Sequence, residues 1–250
     1  MLYDIVTYAN RAQGMYAALV NNKHDVKVIT LGWGTKWNGF TDKFKAMKKY
    51  LVTKSDDDIV VFLDGFDTKI NKDPRKVADL FREYGCKVLV SKDPALFRGG
   101  MEEIVFGTCK NGVVANSGMY MGYAKELKMV IDEALSYTCK DDQRNLNSVC
   151  RKFDFIEIDN AERVFKNVKS WEARDIPYDA IFVSYPGTFS FSRMVRAPVE
   201  YLQFLFWHLL CIVVVALALL PRHRTALTVA LGALCLIRVF VSDTSCVGGL

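Results

Sequence analysis

The chain has 250 residues, of which 51% are hydrophobic, 12% aromatic and 24% charged, and its formal net charge is +5. This length accommodates one α/β domain with an appendage, and the composition excludes an intrinsically disordered protein. The mild net charge argues against a dedicated nucleic-acid-binding protein, so we expect no nucleic-acid partner. Three histidines in the whole chain exclude a histidine-rich metal site.

Hydrophobic patterning alternates between strand-like and helix-like segments from residue 3 to residue 158. We predict strands over Tyr3–Tyr8, Val26–Leu31, Ile59–Leu63, Lys87–Val90, Met119–Met121 and Phe155–Ile158. We predict helices over Arg11–Val20, Asp42–Val52, Pro74–Tyr84, Leu127–Leu135 and Gln143–Val149. Such an order predicts the α/β class, with a Rossmann-like, mostly parallel sheet flanked by helices. We assign residues 1–198 to this domain.

The last fifty residues have a different composition. Tyr201–Leu220 carries no formal charge and has the length of a membrane-spanning helix, and Ala226–Val241 forms a second apolar run that Arg238 interrupts. We therefore expect residues 199–250 to form a membrane anchor of one or two transmembrane helices, as a helical hairpin or as one span followed by an interfacial helix. A buried core helix is the alternative.

Attachment to the membrane is expected at the C-terminus. The N-terminal segment MLYDIVTYANR lacks the basic and apolar regions of a cleavable signal peptide, so we expect none. The orientation stays open, because arginines flank the first apolar run on both sides. The cysteines are expected to be free thiols, although Cys139 and Cys150 are candidates for a disulfide in an oxidising compartment.

Ligands of parallel α/β sheets bind beyond the carboxyl ends of the strands. No GxGxxG follows the first strand and no GxxxxGK[ST] occurs, which excludes the dinucleotide-binding and P-loop readings. Asp64 and Asp67 follow the apolar strand IVVFL, and Gly65 permits a tight turn between them. Paired carboxylates there are suited to a divalent cation that holds a diphosphate, although a solvated turn is equally compatible with the pattern.

Three neighbouring features accompany this pair. Phe66 is an aromatic residue that either stacks on a base or packs into the turn. Asn116, Ser117 and Gly118 form a small polar segment before a strand, which suits close approach to a sugar or an ordinary turn. Asp141 and Asp142 open a helix, where acidic residues are usual as caps.

Seven segments, in this order and at compatible spacing, together resemble one family. They are IVTYA, LGWGTKW, KFKAMKKYL, VVFLDGFDT, ANSGMYMGYA, KDDQ and ERVFKN. They resemble the glycosyltransferase domain of the procollagen lysyl hydroxylases over roughly residues 3–190. The resemblance implies a GT-A-like fold, a UDP-sugar donor and Mn²⁺.

The resemblance also implies roles for individual residues. Asp64 and Asp67 would bind the metal, Phe66 would contact the uracil, and Asp141 and Asp142 would lie near the transferred sugar. The remaining donor-side positions, together with the lysine that follows the glycine-rich loop, would be Thr7, Tyr8, Trp37, Lys43, Asn116, Ser117, Gly118 and Gln143.

One position departs from the family pattern. The family supplies a histidine as a third metal ligand late in the domain, whereas the segment IFVSYPG places Ser184 there. We therefore expect either lower metal affinity, with Ser184 in place of the histidine, or a water molecule in that position.

These observations predict a Mn²⁺-dependent transfer of a hexose, glucose or galactose, from a UDP-sugar to a hydroxyl on a protein or glycan. Lys43 together with Asp141 or Asp142 would perform the catalytic work. Two alternatives stay open. One is an inactive membrane-anchored module that binds a nucleotide sugar, and the other is a nucleotidyl or phosphoryl transferase that uses the same aspartates.

Overall fold

The computed structural model describes residues 3–94, 101–168, 177–186 and 206–241. The chain divides into two compact units, Met1–Thr188 and Phe189–Leu250.

The first unit is built from short strands and helices in alternation. Its strands are β1 (Tyr3–Tyr8), β2 (Val28–Leu31), β3 (Ile59–Asp64), β4 (Thr68–Ile70), β5 (Val88–Lys92), β6 (Ala115–Tyr123), β7 (Ile156–Ile158), β8 (Phe165–Asn167) and β9 (Phe182–Ser184). Its helices are α1 (Tyr16–Val20), α2 (Thr41–Leu51), α3 (Val77–Glu83), α4 (Met101–Phe106), α5 (Ala124–Ser136) and α6 (Asp142–Cys150).

A six-stranded sheet in the order β2-β1-β3-β6-β5-β7 forms the centre of this unit. β1 runs parallel to β2 and β3, and β5 runs parallel to β7, whereas β6 is antiparallel to both of its neighbours. A second sheet in the order β4-β9-β8 adjoins the turn after β3. The predicted mixed, mostly parallel α/β sheet is thus confirmed.

Both faces of the central sheet are covered by apolar cores. Along β3, Val60 and Phe62 belong to the core formed with α2, α5 and α6, while Val61 and Leu63 belong to the core formed with α3. Side chains alternate across a strand. Asp64 therefore lies on the same face as Phe62, toward α2 and α6.

The structure corrects the predicted helix Arg11–Val20, because only Tyr16–Val20 is helical. Gly14 has a φ of 55°, and a Cβ there would lie 2.2 Å from the Phe66 carbonyl oxygen. The chain leaves helical geometry at this point and contacts the turn after β3 instead. The main-chain N–H of Met15 donates to the same Phe66 oxygen at 2.9 Å, which holds that turn in place.

Among the described residues, the expectation of free thiols is confirmed for Cys86, Cys211 and Cys235 and wrong for Cys109, Cys139 and Cys150. Cys109 and Cys150 form a disulfide with their Cα atoms 5.0 Å apart, inside the usual range for such bonds. The bond ties the end of α6 to the segment that follows α4.

The second unit contains two helices within the described residues, α7 (206–219) and α8 (Arg224–Val241). Pro221 lies between them in a short 3₁₀ turn. The first five residues of the predicted apolar segment Tyr201–Leu220, like Arg193 and Arg196, lie outside the described residues. In the part of the chain that the structure describes, no helix is both long and apolar enough to cross a membrane, so the predicted transmembrane helices are not supported.

Candidate active site

The candidate site begins at the carboxyl end of β3, where the chain turns toward β4. Asp64 is the last residue of β3, and Asp67 immediately precedes β4. Gly65 permits this turn, because a Cβ there would lie 2.5 Å from the Tyr8 carbonyl oxygen and 3.0 Å from the Thr7 hydroxyl. The turn consequently packs against the end of β1, at the edge of the sheet where ligands of such folds bind.

Thr7 holds the same end of the sheet together. Its fully buried hydroxyl donates a hydrogen bond of 2.7 Å to the Leu63 carbonyl oxygen. The sequence placed Thr7 on the uridine side of a donor site. The structure places the residue next to the β3 turn but engages its hydroxyl within the sheet.

A buried lysine joins two aspartates from different elements. Lys43 of α2 has its Nζ atom 3.1 Å from Asp64 Oδ2 and 2.9 Å from Asp142 Oδ2. The side chains of Lys43 and Asp142 are 8% and 6% exposed, and that of Asp64 is 23% exposed. The cluster thus brings together three residues that the sequence assigned separately to metal binding and catalysis.

The electrostatics of this cluster favour a permanently charged lysine. Burial by itself would lower the pKa of Lys43, but the charges of Asp142 and Asp64 outweigh it and hold that pKa above its ordinary value. A cation fixed between two carboxylates at the carboxyl edge is positioned to meet an anionic ligand without first acquiring a proton.

Asp141 and Asp142 have different environments although they are adjacent. The Asp141 side chain caps α6, because its Oδ1 atom accepts a 2.8 Å hydrogen bond from the main-chain N–H of Arg144. Burial, and then the neighbouring charge of Asp142, raise the pKa of Asp141 to about 6, against the lowering effect of that hydrogen bond. Asp141 therefore serves as a helix cap, as acidic residues at a helix start often do, whereas Asp142 pairs with Lys43.

The side chains of Asn116, Gln143 and Asp93 form a hydrogen-bonded network beside Gly118. Asn116 donates through Nδ2 to Asp93 Oδ2 and to Gln143 Oε1, both at 3.3 Å, and Gln143 donates through Nε2 to Asp93 Oδ2 at 2.8 Å. The Asn116 Oδ1 atom accepts from the Gly118 main-chain N–H at 2.8 Å. These contacts orient two predicted donor-binding side chains.

Asn116, Ser117 and Gly118 were predicted to precede a strand, and this is wrong because all three lie within β6. The register of β5 against β6 shifts between Val90 and Ser91, whose partners are Tyr120 and Asn116. The segment is therefore an irregularity within a strand, a feature that is frequent next to active sites. A Cβ at Gly118 would lie 2.9 Å from the Asn116 Oδ1 atom, so glycine leaves room for the Asn116 side chain here.

Ser184, which stands where the resemblance implies a histidine, lies beside Asp67. Thr68 and Ser184 are partners in the second sheet, and the Ser184 hydroxyl donates to Asp67 Oδ1 at 3.1 Å. Ser184 is buried. A buried hydroxyl at this position therefore contacts the second aspartate of the turn.

Aromatic residues line the approach from the glycine-rich loop after β2. The Trp37 ring lies 5.7 Å from the Tyr8 ring and 5.7 Å from the Phe40 ring, and Trp37 is 37% exposed. A Cβ at Gly32 would lie 2.3 Å from the Tyr8 ring, so the loop can start only with glycine at that point. Phe66 is half-buried in the β3 turn.

Sequence reasoning missed two residues of this site. Asp93 directly follows β5, and the rule that selected Asp64, a carboxylate just past a buried strand, would have found it. Tyr120 has no such signal, because it reads as a core residue of an apolar strand. Its hydroxyl has no hydrogen-bond partner among the described residues, and burial raises its pKa above the ordinary value, with Lys43 opposing and Asp142 adding to the shift.

A family model described as the PLOD GT domain matches residues 4–177 of the chain. The match covers well over half of the chain, so the chain belongs to this family of glycosyltransferase domains. The resemblance inferred from the seven sequence segments is thereby confirmed.

Two curated proteins are similar to this chain. Procollagen-lysine,2-oxoglutarate 5-dioxygenase 1 of Mus musculus is 25% identical over 158 residues, which are 57% of this chain and 22% of that protein. The Homo sapiens protein of the same name is 25% identical over 157 residues, with the same shares of 57% and 22%. The chain thus spans less than a quarter of the length of these relatives.

Solved structures of galactosyltransferase LgtC are also similar. The complex with donor and acceptor sugar analogs has 13% identity and a TM-score of 0.49, covering 80% of this chain and 94% of that chain. An active-site mutant of LgtC has 13% identity and a TM-score of 0.47, covering 78% and 94%.

Proposed function

We propose that this protein transfers a hexose, glucose or galactose, from a UDP-sugar to a hydroxyl group of a protein or glycan with the help of Mn²⁺. The observation that carries the proposal is the contact of Lys43 with Asp64 and Asp142 at the carboxyl edge of the sheet. Membership of a glycosyltransferase family supplies the reaction class, and the cluster supplies charges of both signs where a diphosphate would bind.

The residues at the β3 turn suit a hard divalent cation. Asp64, Asp67 and Ser184 offer oxygen atoms, the ligand type that such ions prefer. Among the described residues, no group of three or more His, Cys, Asp or Glu side chains converges as a metal site. Asp64 and Asp67 would therefore hold the ion with the donor diphosphate and water completing its shell. Bound there, Mn²⁺ neutralises negative charge on the departing diphosphate.

Lys43 is assigned to the diphosphate. Its ammonium group is a compact point charge with three donor hydrogens, and its two carboxylate contacts keep it protonated. Charge that builds up on the leaving oxygen during sugar transfer is stabilised by a cation already in place. Burial of the lysine strengthens this effect, because the site is shielded from water.

Asp142 is assigned to the sugar. It is held by Lys43 and lies next to Gln143, whose side chain joins the Asn116 and Asp93 network. A carboxylate in this position orients sugar hydroxyls, or accepts the proton of the attacking hydroxyl if the reaction inverts the anomeric centre. Asp141 caps the N-terminus of α6, where Asp142 also lies, and thereby positions Asp142.

Aromatic residues are assigned to the two ends of the donor. Phe66 in the β3 turn would stack on the uracil, and Trp37 would cover the donor from the glycine-rich loop. Tyr8 supports Trp37 through their ring contact of 5.7 Å. Thr7, Ser117 and Gly118 would form the base of the donor site through their main chain. The Thr7 hydroxyl is bonded within the sheet, and Ser117 and Gly118 lie in the irregular segment of β6.

A binding module that has lost catalysis is the second candidate. Ser184 in place of the family histidine favours it, because a hydroxyl is a weaker ligand than an imidazole for such an ion. A nucleotidyl or phosphoryl transferase would instead consume a nucleoside triphosphate. Release of UDP from a UDP-sugar by the full chain distinguishes the transferase from both.

The experiment is a thermal-shift titration of the full chain with UDP, with and without Mn²⁺. A ligand that binds the native state stabilises it by about 2.7 kcal/mol at one hundred times its Kd. For a chain of this size, that is a rise of the unfolding midpoint of about 5 to 10 °C. The proposal predicts this rise only when Mn²⁺ is present.

The variants for this titration are a matched pair of aspartate substitutions. Asp67→Ala should abolish the Mn²⁺-dependent shift, whereas Asp79→Ala, on the exposed side of α3, should retain it. An equal shift in wild type and Asp67→Ala would contradict the metal assignment. No shift by UDP under either condition would contradict a donor site.

We also propose that the second unit attaches the protein to a membrane surface. The support is the exposure of large apolar side chains on its two helices, namely Trp207, Ile212, Val215, Leu219, Val229 and Leu236. Such side chains bind lipid at an interface in proportion to the apolar area that they bury. The double variant Val215→Asp with Leu219→Asp should lose flotation with anionic vesicles, while Val52→Asp on the first unit should not. Flotation of all three proteins alike would contradict the assignment.

A further inference from the structure

An unassigned groove lies between α2 and the loop that follows β2. It has a volume of about 520 Å³. Asp64, Asp67 and Asn116 do not line it, and Tyr8 is the residue that it shares with the proposed donor site. The groove therefore adjoins that site without coinciding with it.

One stripe of α2 forms a wall of the groove. The stripe consists of Asp42, Lys45, Ala46, Lys49 and Tyr50, spaced by three and four residues as on one helix face. The buried residues of the same helix, Lys43, Phe44, Met47 and Leu51, form a different stripe that faces the sheet. The helix thus presents Lys43 to the donor site and a second set of lysines to the groove.

The groove carries uncompensated positive charge. Asp42 is already engaged, because its carboxylate accepts from the Asn38 main-chain N–H at 2.7 Å and contacts Lys45 Nζ at 3.4 Å. Lys36 and Lys49 also line the groove, and within the described parts of the chain neither has an ion-pair partner. Several like charges around one concave surface raise the local concentration of anions.

The size and the walls of the groove indicate a ligand larger than an inorganic ion. A volume of about 520 Å³ lies in the range of pockets for small organic ligands. Tyr50 supplies a half-buried aromatic ring, and Thr35 and Asn38 supply hydrogen-bonding groups, whereas the Tyr8 ring is buried. The Tyr50 hydroxyl donates to Asp4 at 2.9 Å, so its ring is held in a fixed orientation.

We propose that this groove binds an acidic oligosaccharide, a sugar chain that carries carboxylate or sulfate groups. The Tyr50 ring offers apolar surface to the C–H face of a sugar, the polar groups meet hydroxyls, and the lysines meet the acidic groups. The groove opens beside Tyr8 at the edge of the donor site, so the bound chain is placed as the acceptor. This last step rests on the proposed glycosyl transfer, but binding itself does not.

The experiment measures binding to the full chain by titration calorimetry without any donor. The acidic probes are trigalacturonic acid, which carries carboxylates, and a heparin tetrasaccharide, which carries sulfates; maltotriose is the neutral probe. The proposal predicts that at least one acidic probe binds at least tenfold more tightly than maltotriose. Because exposed charges are screened by salt, this affinity should fall between 50 and 300 mM salt.

Variants on α2 locate the site. The double variant Lys45→Gln with Lys49→Gln should weaken binding of the acidic probe about tenfold, as expected for two partly exposed charge contacts. Lys48→Gln is the matched control on the same helix, because Lys48 does not line the groove and pairs with Asp132 at 2.7 Å. It should bind within twofold of wild type.

Three results would overturn the groove proposal. They are failure of both acidic probes to bind, equal binding of the acidic and neutral probes, and equal losses in the double variant and Lys48→Gln. The Mn²⁺-dependent shift with UDP is measured on the same proteins and should be unchanged in the double variant. Loss of that shift would mean that the groove belongs to the nucleotide site. If the wild-type protein binds the acidic probe but not UDP, the groove proposal stands and the proposed function is contradicted.

Discussion

Asp141 provides a test of the site's electrostatics through stability alone. Burial, then the charge of Asp142, raise its pKa from 3.8 to about 6 in the native state. A carboxyl group whose native pKa is raised stabilises the fold fully below the unfolded pKa, and that contribution is lost as the pH rises through the native pKa. Ionised Asp141 therefore weakens the fold near neutral pH.

The size of the effect follows from the two pKa values. The cost of holding Asp141 in its native environment is about 2 kcal/mol at pH 5 and about 3 kcal/mol at pH 7.5. Asp141→Asn removes this cost and keeps the helix cap, because Asn caps helices as well as Asp. The variant should therefore gain up to about 1 kcal/mol relative to wild type between pH 5 and pH 7.5, and the residue's partial exposure makes this an upper value.

The assay is urea unfolding of the full chain, followed by tryptophan fluorescence at pH 5 and pH 7.5. The matched control is Asp57→Asn, in the exposed turn before β3, for which no gain across this range is expected. Parallel profiles for Asp141→Asn and wild type would refute the reasoning. A variant that loses stability relative to wild type as the pH rises would refute it more strongly.

Three further substitutions test neighbouring contacts in the same unfolding assay. Lys43→Met leaves the two aspartates that it contacts without their cation and should cost about 3 kcal/mol; a neutral result would mean that the ion pairs contribute nothing. Tyr120→Phe should stay within about 0.5 kcal/mol of wild type, because the removed hydroxyl has no partner among the described residues. A loss above about 1.5 kcal/mol would reveal an additional contact. Gly65→Ala places a Cβ 2.5 Å from the Tyr8 carbonyl oxygen and should cost more than about 2 kcal/mol; retained stability would show that the turn shifts freely.

Local patterning was sufficient to predict the central sheet. Tyr3–Tyr8 is a strand with the predicted bounds, and Ile59–Leu63 is extended by a single residue to Asp64. Long apolar or β-branched runs identify buried strands because both faces of the sheet are covered. The carboxyl edge followed from the order of the elements, so Asp64 could be selected before any contact was known, whereas Lys43 was found through the family resemblance.

The second sheet could not be predicted in this way. β4, β8 and β9 have three residues each and are paired across long sequence separations, as with Thr68 and Ser184. Three residues contain too little periodicity to identify a strand. The placement of Ser184 against Asp67 was found through family resemblance, and the structure shows the hydroxyl contact that results.

The irregular part of β6 could not be predicted from the sequence for a different reason. Small polar residues in ANSG are typical of turns, and a turn is what the sequence predicts there. In the structure, the amide of Asn116 bonds to the Gly118 N–H, and Asp93 and Gln143 take its remaining donors. Tertiary partners thus keep the segment within the strand, and no local signal reveals them.

The central claim is most directly tested by donor turnover. Release of UDP by the full chain is measured with UDP-glucose and UDP-galactose, with Mn²⁺ and with a chelator, for wild type, Asp64→Asn and the exposed control Asp79→Asn. The account predicts UDP release from at least one donor by wild type and the control, its loss with the chelator, and a drop of at least a hundredfold in Asp64→Asn. Equal release by Asp64→Asn and wild type, or none from either donor by the wild-type protein, would contradict it.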